Sequence, residues 1–470
     1  MTLERGQLPR GLTPPLIVAD TSSKNREGSL EAPTRHPLDW RSDSFYDDAL
    51  LDGELERVFD VCHGCRRCFN LCNAFPTLFD AIDESAEGEV SGLEPRDFRE
   101  VVDHCYLCDM CYMSKCPYVP PHPWNIDFPK LMLRAKAKRF RDEGASLRDR
   151  TLSATDRVGT LAGIPVVART VNAVNRNAAC RGLLEKLAGV HRSARLPEFA
   201  KRTLARTLGD RLLDEPPAEA PAAREAETTH GRVLVFATCY GRHHEPAIVE
   251  DLVAVLEHND VPVRLMRNER CCGMPKLENG DLEQVEQLAQ SNIPRLARWA
   301  RAGWDIVAPV PSCVLMFKQE LPLMLAGNDD VIAVRDAIRD PSEFLMLRHK
   351  AGLLNTQFRE PLGKIAYHVP CHLRVQNLGL KTRDLLELVP ETSVEPIERC
   401  SGHDGTYAVK REFHETAMKI GRPVFRRVRD AAAARFTSDC PMAAYQIEEG
   451  SGGAVEPIHP LGLLRRAYGI

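Results

Sequence analysis

Between residues 62 and 72 the chain reads Cys62-His63-Gly64-Cys65-Arg66-Arg67-Cys68-Phe69-Asn70-Leu71-Cys72, and further on it reads Cys105-Tyr106-Leu107-Cys108-Asp109-Met110-Cys111-Tyr112-Met113-Ser114-Lys115-Cys116-Pro117. Eight of the sixteen cysteines lie in these two runs. Three thiolates two residues apart can take three corners of one cube of iron and sulfide, and the fourth corner then needs a cysteine from elsewhere. Structural zinc prefers two separated ligand pairs, which a tight Cys-x2-Cys-x2-Cys triple does not offer. A disulfide scaffold belongs to short secreted chains, whereas this chain has 470 residues and no secretory signal. So many thiolates call for a reducing compartment, and the expected location is the cytoplasm.

The two runs resemble those of two-cluster ferredoxins, in which the outlying cysteine of each run serves the other run's cluster. The resemblance implies one 4Fe-4S cluster on Cys62, Cys65, Cys68 and Cys116 and a second on Cys105, Cys108, Cys111 and Cys72. Between the runs the sequence carries a helix signal instead of strands. Pro95 suits a first turn, and Phe98, Val101, Val102 and Cys105 follow at spacings of three and four. An α-helical ferredoxin domain is therefore expected over 45–145, behind a flexible tail over 1–44 whose Pro, Ser and charge content offers no core. Asp127 opens a further helix that closes near Gly144, with Phe128, Leu131, Met132, Ala135 and Phe140 for packing. That helix also carries Lys130, Arg134, Lys136, Lys138, Arg139 and Arg141, either as a solvated face or as a docking face for an acidic partner or anionic lipid.

Net charge is −4, with 43% hydrophobic and 27% charged residues, an ordinary composition without the basic footprint of a nucleic-acid binder. The most apolar stretch, Leu161 to Val171, contains Pro165 and Arg169 and is too short to span a bilayer. Any membrane association is expected to be peripheral, on the inner face. Residues 146–212 read as a helical connector, and 213–230, rich in Pro, Ala and Glu, as a linker.

From Gly231 the pattern changes. Val233 to Ala237 reads as a strand, Pro246 opens a helix, Val261, Val263 and Leu265 form a strand, a helix runs from Asp281 to Arg301, and Ile306 to Ala308 is again a strand. This alternation predicts an α/β layer on a parallel sheet. The unit occurs twice: Cys271, Gly273 and Pro294 recur 129 residues on as Cys400, Gly402 and Pro423, and Cys239 recurs as Cys371. Two related lobes are expected, over 231–345 and 346–470. Their cysteines follow predicted strands, and in open parallel sheets ligands collect beyond those carboxyl ends.

Cys239-x31-Cys271-Cys272-Gly273 followed by Pro311-Ser312-Cys313, with a second copy at Cys371, Cys400-Ser401-Gly402 and Cys440, resembles the cysteine-rich CCG domain of heterodisulfide reductase subunits. Joined to a helical two-cluster ferredoxin, it is similar to the iron–sulfur subunits of anaerobic glycerol-3-phosphate dehydrogenase and of glycolate and lactate oxidation. The resemblance covers about residues 55–460. It implies an electron-transfer component of an oxidoreductase, fed by a flavoprotein dehydrogenase subunit and discharging to a quinone or other acceptor. No Gly-x-Gly-x-x-Gly fingerprint for an organic redox cofactor is evident. Two rival readings make the CCG site itself a disulfide, persulfide or peroxide-linked reductase, or make the chain a redox-sensing binding protein.

Both copies depart from the full pattern, at Val310 in the first and at Ser401 and Ala443 in the second. Cys239, Cys271, Cys272 and Cys313 still suffice for a cubane cluster or a metal ion. Cys371, Cys400 and Cys440 leave one corner to Ser401, to the imidazole of His368, His372 or His403, or to a substrate, so a weaker cluster or none is expected there. His243 and His244 read as surface residues, Lys276 and Lys410 as cations near the cluster loops, and Cys180 as structural.

Overall fold

The computed structural model describes residues 31–470, and residues 45–145 form helices and loops without a strand. Helix α1 (Asp48–Cys65) begins where the Asp47 carboxylate accepts from the Leu50 amide at 2.9 Å, and it ends at Arg66 in the left-handed conformation. Its stripe of Leu51, Leu55, Val58 and Phe59 is buried against α2 (Ala74–Glu84) and α3 (Pro95–His104). Pro95 and a reciprocal Glu94/Asp97 cap start α3. A single turn, α4 (Met110–Ser114), precedes α5 (Phe128–Glu143), which runs from its Asp127 cap to Gly144 and adds Phe128, Leu131 and Met132 to the same core.

The cations of α5 have partners within the molecule. Lys130 pairs with Glu320, Lys138 with Asp48 at 2.8 Å and Arg139 with Asp103 at 2.6 Å. Arg134 donates to the carbonyls of Phe45 and Ser44, Lys136 donates to that of Cys105, and Arg141 lies over the Tyr46 ring. Each cation is used inside the molecule, so the helix works as a clamp.

The tail expected over 1–44 also needs correction. Residues 1–30 lie outside the described residues, but from residue 31 the chain is tied down. The Trp40 indole donates to the Met324 carbonyl at 3.0 Å, and Arg35 stands between Asp109, Asp127 and Glu320 with its guanidinium over the Tyr112 ring. A guanidinium among three carboxylates anchors a segment that has no hydrophobic run of its own.

The connector contains α6 (Leu147–Ser153), α7 (Thr155–Ala162), α8 (Pro165–Arg176) and α9 (Ala178–Ala188), followed by short turns at Leu204–Thr207 and Gly209–Arg211. Among the described residues no helix is long and apolar enough to cross a membrane.

Two parallel sheets follow. The strands are β1 (Leu212–Leu213), β2 (Val233–Val235), β3 (Val263–Met266), β4 (Asp305–Val307) and β5 (Ile338–Arg339), then β6 (Gly363–His368), β7 (Thr392–Ile397) and β8 (Arg435–Ser438). Their orders are β1-β3-β2-β4-β5 and β7-β6-β8. In each lobe the first strand of the repeat is central: Val233 pairs with Val263 and Asp305, and Ile365 with Val394 and Arg435. Pro294 and Pro423 both sit inside the long helices Leu282–Arg301 and His414–Asp430, as the repeat requires.

Three features cross the expected boundaries. Leu212 and Leu213, read as the join between connector and linker, add an edge strand to the first sheet. The last helix, Pro460–Tyr468, bridges the lobes, packing Leu463 and Ala467 in the second core and, against Pro246–His258, Leu461, Leu464 and Tyr468 in the first. Trp40, Phe45, Met110, Leu133 and Ala137 share one continuous core with the first lobe. The helical domain and the lobes are therefore one packed body.

Candidate metal centre

Cys62 and Cys65 close α1, and the left-handed Arg66 turns the chain so that Cys68 comes back beside them. Burial pushes the Cys62 thiol well up, and so do the neighbouring sulfurs of Cys68, Cys116 and Cys65. Leu107 and Asp109, both at positive φ, coil the second run. Cys111 is raised by burial and then by Cys105, Cys68 and Cys72, and Cys72 by burial and Cys105. Each run's outlying cysteine thus lies with the other run's triple.

The cysteines of both lobes sit where β-strands end. Cys239 opens the turn after β2, Cys313 follows β4, Cys371 follows β6 and Cys440 follows β8, each at the start of a short helix. Cys271 and Cys272 follow β3 with Gly273 at φ 105°, and Cys400 follows β7 with Gly402 at φ 73°. Gly402 admits no side chain, because a Cβ there would stand 1.9 Å from the Ala417 carbonyl oxygen. Cys271 is a hub: hydrogen bonds from Cys239 and Cys272 hold its thiol well below the usual range, while those two are held above it.

These seven thiols face one another across the junction of the lobes. All line one cavity of about 160 Å³ between the lobes, together with Tyr106, Glu278, Ser401, His403 and Asp404. The lobes meet there through Ser312, whose hydroxyl lies 2.8 Å from His372 Nδ1, and through Gln376, which donates to the Pro311 carbonyl.

The ferredoxin-like end abuts the same chamber. A cleft of about 790 Å³ is lined by Cys72 and Cys108 on one side and by Cys371 and Cys400 on the other. Cys108 is raised by burial first, then by Cys371, Cys72, Cys400 and Cys111. Tyr106 closes the gap: its hydroxyl is 3.5 Å from Cys400 Sγ, and its ring leans on Tyr407, whose own hydroxyl is 2.7 Å from His104 Nδ1.

The donor sets suit a group larger than an ion. A tetrahedral zinc draws four ligands to about 2.0–2.3 Å of one point. Among the described residues no three His, Cys, Asp or Glu side chains are arranged to hold a single metal ion. Instead, groups of buried thiols raise one another's pKa by mutual repulsion, which a cationic iron–sulfur core would relieve. All sixteen cysteines are free thiols.

Among the candidates for the open corner of the second lobe, His368 is already used. One ring nitrogen faces the Ser438 hydroxyl at 3.0 Å and the other the Arg399 carbonyl at 3.1 Å. His372 Nε2 is buried without a partner, and Ser401 Oγ accepts from the His403 amide at 3.3 Å. His243 and His244 are not surface residues. The ring of His243 presses on Gly159, and His244 donates to the Glu198 carbonyl at 3.0 Å and packs on Phe199. Lys276 and Lys410 are paired with Asp281 and Asp149, and Cys180 lies apart on α9.

A family model for the cysteine-rich domain called CCG matches residues 233–318 and 365–448. The two matched stretches fall one on each lobe of the C-terminal half. Over 347 residues the chain is 28% identical to a subunit of the anaerobic glycerol-3-phosphate dehydrogenase of Escherichia coli K12, covering 73% of this chain and 83% of that protein. It is also 27% identical to a subunit of the fumarate reductase (CoM/CoB) of Methanothermobacter marburgensis, over 50% of this chain and 46% of that one. An uncharacterized iron-sulfur protein of Methanocaldococcus jannaschii is 27% identical over 48% of this chain and 42% of its own length.

Several residues beside the CCG cysteines escaped the sequence reading. Thr155, at the start of α7, lies beside Cys239 and Cys271, and the Asp156 carboxylate accepts from the Cys271 amide at 2.8 Å. Glu269 accepts from the Ala237 amide at 3.0 Å and so fixes the turn that presents Cys239. Only Tyr106 left a signal, as an aromatic residue within a run of cysteines.

Proposed function

We propose that the chain is the iron–sulfur electron-transfer subunit of an oxidoreductase, carrying two 4Fe-4S clusters in its helical domain and at least one further cluster on Cys239, Cys271, Cys272 and Cys313. The first cluster would be held by Cys62, Cys65, Cys68 and Cys116, the second by Cys105, Cys108, Cys111 and Cys72. Bound clusters supply one-electron carriers; the protein supplies burial, spacing and hydrogen bonds that tune them.

The observation that carries this reading is the unbroken succession of thiols. Cys68 neighbours Cys111 across the two runs, and Cys72 and Cys108 neighbour Cys400 and Cys371 across the cleft. Tyr106 and the Gly402 amide, 3.3 Å from Cys400 Sγ, place two donors on the sulfur at that junction. The named relatives belong to a dehydrogenase and to a reductase of several subunits, which supports a partner for the organic chemistry. We assign the donor to a flavoprotein dehydrogenase acting on glycerol 3-phosphate, glycolate or lactate, and the acceptor to a quinone or another redox acceptor. Cys371, Cys400 and Cys440 would hold a weaker cluster or none.

One observation favours a second reading, in which the chamber itself reduces a disulfide, persulfide or peroxide: seven thiols face a single cavity. Anaerobic purification of the full chain with iron and sulfide counts, followed by an EPR redox titration, tests the first reading. About eight iron and eight sulfide from the helical domain, plus a third signal, are expected. Zinc without sulfide would remove it. Turnover of a disulfide by the reduced protein alone would move the assignment to the second reading.

A further inference from the structure

Helices α7, α8 and α9 are built inside out. A helix on a protein surface normally turns its large apolar side chains inward and its small or polar ones outward. Here the buried positions are Gly159, Ala162, Ala168, Asn172, Arg181 and Glu185. The outward positions include Leu161, Ile164, Val166 and Leu187, exposed by 65%, 52%, 73% and 78%. The small inner face is explained by close packing: a Cβ on Gly159 would stand 2.4 Å from the His243 ring. Among the described residues nothing covers the large outer face, and a fold that needed only solubility would place polar residues there.

Charge narrows the occupant. From residue 157 to residue 184 there is no Asp or Glu. Arg150, Arg157, Arg169 and Lys186 are exposed and make no ion pair among the described residues, whereas the flanking acids are engaged: Asp156 with Arg270, Glu185 with Arg192 and Glu198 with Arg176. The free cations are interleaved with the apolar positions. Arg157 lies one turn from Leu161, Arg169 one turn from Val166, and Lys186 one turn from Leu183. Apolar side chains that enter an acyl boundary, ringed by cations at headgroup level, are what an interfacial helix presents to an anionic bilayer.

We propose that α7, α8 and α9 form a peripheral docking surface for an anionic membrane. The surface is joined to the redox chamber, because α7 begins with Thr155, beside Cys239 and Cys271, and with Asp156, whose carboxylate accepts from the Cys271 amide. Docking there seats the first CCG domain at the lipid face, through a surface distinct from the basic helix α5, whose cations are consumed internally.

The test is co-sedimentation of the full chain with vesicles of phosphatidylcholine alone or mixed with phosphatidylglycerol. Binding to the mixed vesicles, weakened by salt, is expected. Ile164→Asp with Val166→Asp should lower it by at least about tenfold. Arg157→Gln with Arg169→Gln should lower it and flatten its salt dependence, with the circular dichroism and visible spectra of both variants unchanged. Equal binding to neutral and anionic vesicles, no binding to either, or unaltered binding by the aspartate variant would overturn the proposal. So would an aspartate variant that keeps vesicle binding and loses association with a protein subunit.

Discussion

His368 is 2% exposed at the end of β6, with Nε2 donating to the Arg399 carbonyl and Nδ1 accepting from Ser438. Burial pulls its pKa down from 6.5 to about 4. The folded protein therefore holds the imidazole neutral while the unfolded chain takes up the proton first. Its contribution to stability is fully present above pH 6.5 and is lost as pH falls through about 4, at up to about 1.4 kcal/mol per pH unit. The urea midpoint should drop between pH 6.5 and 5, and His368→Gln should flatten that part of the curve. Identical slopes in the two proteins would show that the titration belongs elsewhere. The bond to the Arg399 carbonyl ties the end of β6 to the chain just before Cys400, so the residue positions that thiol through the backbone, while the bond to Ser438 ties β6 to β8.

At the level of elements, the segment over 31–46 is the least expected piece of architecture. Arg35 bonds Asp109 through two nitrogens at 2.5 and 3.0 Å, and Asp109 lies inside the Cys108–Cys111 loop. Arg35→Ala would leave that buried carboxylate without its cation, at a cost of about 3–5 kcal/mol, read as a lower urea midpoint by tryptophan fluorescence. Arg35→Lys keeps the charge but not the two-pronged geometry and should lie between. A loss below about 0.5 kcal/mol would mean that the segment is only draped over the surface. Helix ends were legible beforehand because their signals are local: Asp127, Gly144 and Pro95 act within one turn. The two β-lobes were legible through period and duplication. The Arg35 clasp was not, since its partners lie 74 and 92 residues away, and neither was β1, whose two residues carry no period. The places of Cys239, Cys313, Cys371 and Cys440 at strand ends could be read from sequence. Their meeting in one chamber could not, because it depends on contacts such as Ser312 with His372 that leave no pattern in either lobe.

For the whole molecule, the shared core makes the order of thiols rigid. With Trp40, Phe45 and Met110 in the core of the first lobe, the helical domain cannot swing away from the chamber without opening that core. Under the proposed function electrons would then have a fixed route, with Cys72 beside Cys105 on one side and Cys400 on the other. Cys72→Ser exchanges a soft thiolate for a harder, less acidic ligand at the second cluster while leaving the first cluster's set and the chamber's seven thiols in place. The purified variant should lose or broaden one EPR signal and keep the others. With reductant supplied by a partner dehydrogenase, the chamber's signal should appear at least about tenfold more slowly than in the parent, equivalent to about 1.4 kcal/mol on the barrier. Cys180→Ser, on α9 and away from the route, is the matched control and should change neither signal nor rate. A Cys72→Ser protein that fills its chamber at the parental rate would show that electrons enter the CCG domains directly, and the helical domain would then be a branch and not the path.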